Sequence, residues 1–341
     1  MPIKHFSKPL RARAVDVAAK AGVSGAAVSR TFRNGSVSPH VRAKVLAAAR
    51  ELGYRPNAMA AAVITRRSNL VAIFMTTNTN SHFPEVLSEL SQAAERHGMR
   101  VLLFTLDDPA HVGAVIDQVL SYQVDAVLSL TEVPEPAADV LRGVGVDLLL
   151  YNRASAGYAA NLVSCDHRAA GRILGAYLLK LGHRHFAMIE GPQFSVLAQD
   201  RARGVYDVLA EAGIHRRDVP VAIGDFGYDS GRVAAAALFA AKQRLTALVC
   251  INDMMAIGAI DEAGAAGVRV PEDVSIAGFD GVPASRWARY QITTMSQPLP
   301  QLAAAAFDVI IHRLADRDLA HEMRILSCTL VEGKSTAAPA A

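Results

Sequence analysis

Residues 14–35 read AVDVAAKAGVSGAAVSRTFRNG, and the grammar of this stretch decides how the chain begins to fold. Val15, Ala18 and Ala19 recur at helical spacing, Ala21, Gly22 and Val23 break the pattern, and Ser24 can cap a second helix over residues 24–31. A short helix, a turn containing Gly and a second capped helix make a helix-turn-helix. Small residues at Ala18, Ala19 and Ala27 let two helices cross closely, with Val23 and Val28 filling the angle between them. Further along, Asn34, Gly35 and Ser36 form a turn, and Ser38 and Pro39 open a third helix with Pro at its first position. Its inner face is expected to carry Val41, Val45, Leu46, Ala49 and Leu52 before Gly53 ends it. Asn57 can cap a short Ala-rich fourth segment over residues 58–64, and TRRSN (65–69) is a polar linker.

Positive charge gathers at the same end. The first 67 residues carry thirteen Lys and Arg against two acids, Asp16 and Glu51, while the remaining 274 carry 22 bases and 30 acids. A compact basic module is the expected footprint of nucleic-acid binding, because each neutralised phosphate releases condensed counterions. The basic residues are interleaved with a regular apolar pattern, so this segment should fold rather than trail as a solvated tail. A length of 341 residues allows two or three domains, and 51% hydrophobic with 20% charged residues suits a globular protein with a sizeable core. No apolar run reaches the roughly 18 residues of a membrane span, and MPIKHFSKPLRARAVDV offers no apolar stretch of signal-peptide length. Cys165, Cys250 and Cys328 stand far apart at no metal spacing, as reduced buried thiols do. A cytoplasmic protein is expected.

Beyond the linker the grammar changes. Apolar runs at residues 70–75, 101–105, 126–130, 148–151, 186–189, 247–251 and 274–278 are mostly separated by helix-length patterns, beginning with residues 84–97. That alternation argues for doubly wound parallel α/β sheets. About 265 residues exceed one such core, so two lobes are expected. The tail from Lys334 to Ala341 has the composition of a disordered segment. His183 and His185 flank Arg184 with no third ligand nearby, which reads as a polar turn entering a strand. Gly264 and Gly267 end a helix rather than begin one, and no dinucleotide loop, Walker A loop, nucleophile elbow or nucleophile-and-base set is visible. No enzyme chemistry, metal or cofactor is therefore expected.

The segment 14–35, followed by VSPHVRAKVLAAARELGYRPNAMA (37–60), resembles the DNA-binding head of the lactose-repressor (LacI/GalR) family. AYLLKLGH (176–183), GPQFSVLAQDRARGVYDVLAEAGI (191–214), INDMMAIGAIDEAGAAGVRVPEDVSIAGFDG (251–281) and ITTMSQP (292–298) resemble the same family's effector-binding core. The resemblance covers about residues 14–337. It implies a helix-turn-helix head over 1–56, a hinge helix and linker over 57–67, and a two-lobed periplasmic-binding-protein-like core over 68–337. One lobe is expected at about 70–162 and 293–322, the other at about 163–292 and 323–337.

By that resemblance the second helix enters the major groove. Gly25 and Ala26 then stand where sequence-reading side chains usually sit, and neither can make a bidentate base contact. Ala26 can touch a thymine methyl, Arg30 can reach a guanine or phosphate, and Ser24 and Ser29 suit phosphates, which position without specifying. Asn34, Tyr54 and Asn57 complete the implied DNA-binding set, with Val63 at the hinge position where relatives push a Leu into the minor groove. Val is shorter and stiffer than Leu, so a weaker kink is expected. In the core the resemblance assigns ligand roles to Asp166, Arg201, Asn252 and Asp280, with Asn152 where many relatives have Asp and Phe83 as an apolar face. Carboxylates, amide and guanidinium suit a small polyhydroxylated effector, a sugar or sugar derivative. Removing the Asp280 carboxylate is expected to abolish ligand binding with the fold intact.

The implied function is a ligand-responsive transcriptional regulator, a repressor, acting in the cytoplasm on nucleoid DNA. It would bind a near-palindromic double-stranded operator as a homodimer, because a two-fold protein reads two half-sites. VEGKSTAAPAA (331–341) has no leucine heptad, so no tetramerisation helix is expected. A solute-binding protein or sugar-processing enzyme on the same scaffold is the competing reading. The first would need an export signal where this chain has a basic helix-turn-helix, and the second a phosphate loop.

Overall fold

The computed structural model describes residues 12–32, 35–55, 67–76, 82–106, 111–153, 157–241 and 243–340. The chain divides into two compact units, Met1–Ser68 and Asn69–Ala341. Each has its own core.

In the first unit, helices α1 (Ala14–Ala21), α2 (Gly25–Phe32) and α3 (Pro39–Glu51) are set by their ends. The Asp16 carboxylate accepts from the Arg13 N–H at 2.7 Å to start α1. Gly22, at φ 64°, turns the chain so that the Val23 N–H returns to the Ala18 carbonyl at 3.1 Å. Ser24 accepts from the Ala27 N–H to start α2, and Ser38 from the Val41 N–H to start α3. Val17, Ala18, Val28, Val45, Ala48 and Ala49 form the core. Two helical faces differ from the sequence expectation. Val15 is 59% exposed and Val17 fully buried; Leu46 faces solvent while Ala48 packs inward. In α1 both possible faces share Ala18, and the contact with α3 selects between them. The expected fourth helical segment, 58–64, and with it Asn57 and Val63, lies outside the described residues, as does Asn34.

The second unit begins with β1 (Leu70–Thr76), where Val71 and Ile73 enter one core and Ala72 and Phe74 another. A strand buried on both faces is what a doubly wound sheet requires. The first sheet runs β11 (Met323–Leu326), β5 (Asn161–Cys165), β4 (Asp147–Tyr151), β3 (Ala126–Ser129), β1, β2 (Arg100–Leu106), all parallel. Helices α4 (Phe83–Arg96) and α11 (Leu299–Ala315) supply residues to one of its cores, and α5 (Val112–Ser121) and α6 (Glu135–Gly143) to the other. The second sheet runs β12 (Thr329–Val331), β10 (Thr293–Ser296), β9 (Ser275–Asp280), β8 (Ala247–Cys250), β6 (Phe186–Glu190), β7 (Val221–Ile223), with only β12 antiparallel to its neighbour. It is flanked by α7 (His167–Lys180), α8 (Val196–Glu211), α9 (Tyr228–Ala240) and α10 (Asp253–Ala265).

The chain passes between these lobes three times, at residues 165–167, 296–299 and 326–329. The crossings sit a few residues from the expected ones. The 293–296 strand ladders with Ala277 and Gly278 and so belongs to the second lobe, whereas 323–326 ladders with Leu162 and Val163 and belongs to the first. Strand 161–165 also stays whole in the first lobe. Each strand completes its ladder before the chain crosses.

Helix α8 lies against α7 at backbone contact. A Cβ on Gly204 would come within 2.0 Å of the Arg168 carbonyl oxygen, and one on Gly171 within 2.2 Å of that of Arg201. Only glycine allows this approach, and it fixes the height of Arg201 on α8. The tail departs from expectation altogether: residues 334–340 are described, and Ser335 is buried. Ser335 exchanges backbone and hydroxyl hydrogen bonds with Ile276, and Ala337 does so with Ser275. A tail poor in large apolar residues is held by polar pairing, which hydropathy cannot register. His183, buried, contacts the Thr246 hydroxyl at 3.1 Å and the Ala337 carbonyl at 2.9 Å, a structural role.

Candidate functional site

In the first unit, Ser24, Gly25, Ala26 and Arg30 are exposed along the start and outer face of α2, and Ser29 is half-buried. Ser24 already serves as the helix cap. Tyr54 is half-buried with its ring 5.5 Å from that of Phe32, so its aromatic body belongs to the packing of this unit. Lys20 pairs with Glu51 at 2.8 Å, leaving Arg13, Arg30, Lys44, Arg50 and Arg55 with no ion pair among the described residues. The surface therefore offers cationic charge and small side chains rather than long base-reading amides.

In the second unit, a cavity of about 490 Å³ opens between the two sheets, a usual size for a small-molecule site. Its walls come from the carboxyl ends of the strands, where α/β sheets hold ligands. Thr131 follows β3, and Tyr151, Asn152 and Arg153 end and follow β4; Asp280 ends β9, and Phe226 follows β7. Phe83 and His82 enter from the start of α4.

The floor is a relay of buried polar groups. The Asn152 side-chain oxygen accepts from the Cys165 N–H at 2.9 Å, and its amide donates to the Gln297 oxygen at 2.7 Å. The Gln297 amide donates to Asp280 at 2.8 Å, and the same carboxylate oxygen accepts from the Arg201 guanidinium at 2.7 Å. Arg201 is 2% exposed; it also donates to the Ile251 carbonyl at 2.8 Å and lies 5.1 Å from the Phe279 ring centre. Its Nε–H points at His167 Nδ1 at 3.4 Å, which places the imidazole proton on Nε2. Burial, aided by the Arg201 charge, pushes the His167 pKa well down, so the ring is neutral. Asn152 and Asp280 both hold positive φ, at 52° and 108°, strain of the kind that collects where a site over-determines its backbone. Asp253, fully buried, accepts from the Gly281 and Val282 N–H groups and the Thr294 hydroxyl, and thereby fixes the turn behind Asp280. Burial, with help from Asp280, pushes its carboxyl up to about 8.

Of the six sequence candidates, Phe83, Asn152, Arg201 and Asp280 line the cavity. Asp166 and Asn252 are not among its lining residues: each caps a helix, accepting from the Ala169 and Met255 N–H groups respectively. An acid or amide just before a helix is claimed by the helix's own unpaired N–H groups. Asn252 still shapes the wall, because its amide donates to the Phe226 carbonyl at 2.8 Å. Gln297, Tyr151, Arg153, His82 and Phe226 were not singled out as site residues. Gln297 was legible as the polar member of ITTMSQP, and Arg153 as the neighbour of Asn152; nothing in the sequence pointed to Phe226. Among the described residues no cluster of three His, Cys, Asp or Glu side chains could hold a metal, and no helix is long and apolar enough to cross a membrane.

Comparison with known proteins matches residues 15–57 to the family described as bacterial regulatory proteins, lacI family, and residues 176–336 to the periplasmic binding protein-like domain. The HTH-type transcriptional repressor CytR of Escherichia coli K12 is 30% identical over 329 residues, covering 95% of this chain and 96% of its own. The repressor PurR of Klebsiella pneumoniae is 28% identical over 328 residues, covering 94% and 96%. Among solved structures, the lac repressor dimer bound to operator and the anti-inducer ONPF aligns with a TM-score of 0.86 at 25% identity, covering 97% of this chain and 100% of that one. The transcriptional regulator CelR in complex with cellobiose aligns at 0.73 and 28%, covering 95% and 100%.

Proposed function

This chain belongs to the lacI family of bacterial regulatory proteins, a family of transcriptional repressors and not of enzymes, and from that premise we propose that it is a ligand-responsive repressor. It binds a near-palindromic operator as a homodimer, in the cytoplasm and on nucleoid DNA, and senses a small polar metabolite, a sugar or sugar derivative, in the cavity of its second unit. The relay from Asn152 through Gln297 to Asp280 and Arg201 carries this reading. It joins the two lobes by side chains at the floor of the cavity, next to the first and second crossings, so a ligand touching it acts on both lobes at once. Phe83 and Phe226 supply apolar walls, and the carboxylates accept from ligand hydroxyls.

Ligand that changes the relation of the lobes changes DNA affinity, and linkage demands the reverse by the same factor. The test is calorimetric titration of ligand, identified by a thermal-shift screen of metabolites, into the protein with and without operator DNA. Unequal affinities are expected; equal ones refute the allosteric reading. In the head, Ser24, Gly25, Ala26, Ser29 and Arg30 meet the major groove, and Asn34, Tyr54, Asn57 and Val63 remain assigned to DNA by resemblance alone. Asp166 and Asn252 act through helix positioning rather than direct ligand contact.

A further inference from the structure

The cavity wall holds two arginines in opposite circumstances. Arg201 is neutralised by Asp280 at 2.7 Å, and Arg313, also buried, by Asp147 at 2.8 Å. Arg153 is half-buried, lines the cavity directly after β4, and has no carboxylate within ion-pair distance among the described residues. Its single hydrogen bond there is to the adjacent Asn152 carbonyl, at 2.7 Å. Burial pulls its pKa down to about 10, partly opposed by Glu132, an exposed acid that also lines the cavity but stays outside ion-pair distance. Two residues earlier in the chain, Tyr151 also lines the cavity; it is 1% exposed and its hydroxyl has no hydrogen-bond partner among the described residues. Asn152 and Gln297 have committed their amides to the relay, and Asp225 accepts from the Gly227 N–H. Among the described residues, the Arg153 guanidinium and the Tyr151 phenol are thus donors with no side-chain acceptor, while Glu132, a carboxylate lining the cavity near Arg153, forms no ion pair with it.

We propose that the effector bears an oxyanion, a carboxylate or phosphoryl group, held by Arg153 and the Tyr151 hydroxyl, with its hydroxyl-bearing part turned toward Asp280. This rests on the cavity being the effector site. A guanidinium takes a carboxylate or phosphate through two parallel N–H···O bonds, roughly twice as strong as bonds to a neutral hydroxyl. An anion there also offsets the cost of a partly desolvated guanidinium that has no ion pair among the described residues. A neutral sugar or nucleoside leaves that penalty in place, so the site selects acids and phosphate esters over their neutral parents.

The experiment titrates the full-length protein with matched sets: D-glucose, D-gluconate and D-glucose 6-phosphate; D-ribose and D-ribose 5-phosphate; adenosine and adenosine monophosphate. Anionic members are expected to bind at least roughly tenfold tighter than neutral parents, with the preferred arm separating carboxylate from phosphate. Arg153→Gln should erase that preference and Arg153→Lys keep part of it. Equal binding of a neutral parent, anion binding that survives Arg153→Gln unchanged, or no binding by any anionic member overturns the proposal. Phe226→Ala separates the two failures. If it weakens ligand binding while Arg153→Gln does not, the cavity stands and the oxyanion assignment falls. If neither variant matters to a ligand that binds, the cavity reading falls as well.

Discussion

Gln297 carries no charge, yet its amide touches a polar side chain of each lobe, accepting from Asn152 and donating to Asp280. Gln297→Ala removes both bonds and leaves a buried amide and a buried carboxylate each short of a partner. A loss of about 1–3 kcal/mol is expected in chemical denaturation, together with a changed ligand affinity; no change in either would deny the relay its role. Asp280 needs a revised expectation. With Arg201 beneath it at 2% exposure, Asp280→Ala strands a buried cation and should cost about 3–5 kcal/mol. Asp280→Asn, which keeps an acceptor in place, should fold better and is the cleaner probe of ligand binding, as parallel thermal melts will show. Arg201 and Asp280 were legible because they stand inside long family-like motifs. Asp166 and Asn252 stand in such motifs too, but a motif does not say whether an oxygen faces the ligand or the helix behind it. That choice is made in three dimensions.

At the scale of elements, most strands read from sequence, such as 126–129 and 247–250, are apolar runs buried on both faces, and edge strand 100–106 was read because its run is almost wholly apolar. Strands 161–165 and 293–296 were not read because polar residues interrupt their apolar character, and 221–223, 323–326 and 329–331 because they are short, lie at sheet edges and alternate exposed with half-buried residues. Helix α8 depends on its neighbour more than on its own sequence. Gly204→Ala drives a methyl into the Arg168 carbonyl and should cost about 1–3 kcal/mol, read as a lowered melting temperature, with Arg201 displaced and ligand affinity reduced. A variant as stable as the parent would mean that the two helices can separate freely. Helix α2 presents Gly25 and Ala26 where base-reading chains are expected, so charge should dominate DNA affinity. Operator binding should weaken steeply, by about 0.9 log units per log unit of salt for each phosphate neutralised. A flat salt profile would contradict this.

For the whole molecule, the division into a basic head and an acidic two-lobed core was readable from charge and periodicity, because both average over many residues. The exact crossings were not, because they depend on which sheet edge completes a strand's ladder. The core also carries a pH response. Burial lowers the pKa of His82, His167 and His183. Once unfolded, each imidazole protonates below about pH 6.5, while the folded ring stays neutral. Their contribution is therefore fully present above that pH and lost as pH falls through it, at up to about 1.4 kcal/mol per unit for each ring. Thermal melts should show a clearly lower midpoint at about pH 5.5 than at about pH 7.5, and equal midpoints would refute the assignment. One last feature bears on how the molecule is made. Residues 333–337 lock onto Ile276, Gln291 and Thr293, segments that leave the ribosome some forty or more residues earlier. The second sheet thus waits, unsealed, until residues 333–337 have been made. A chain clipped before Ser335 would expose that seam to proteases, so protease resistance of the second lobe should fall when this segment is removed.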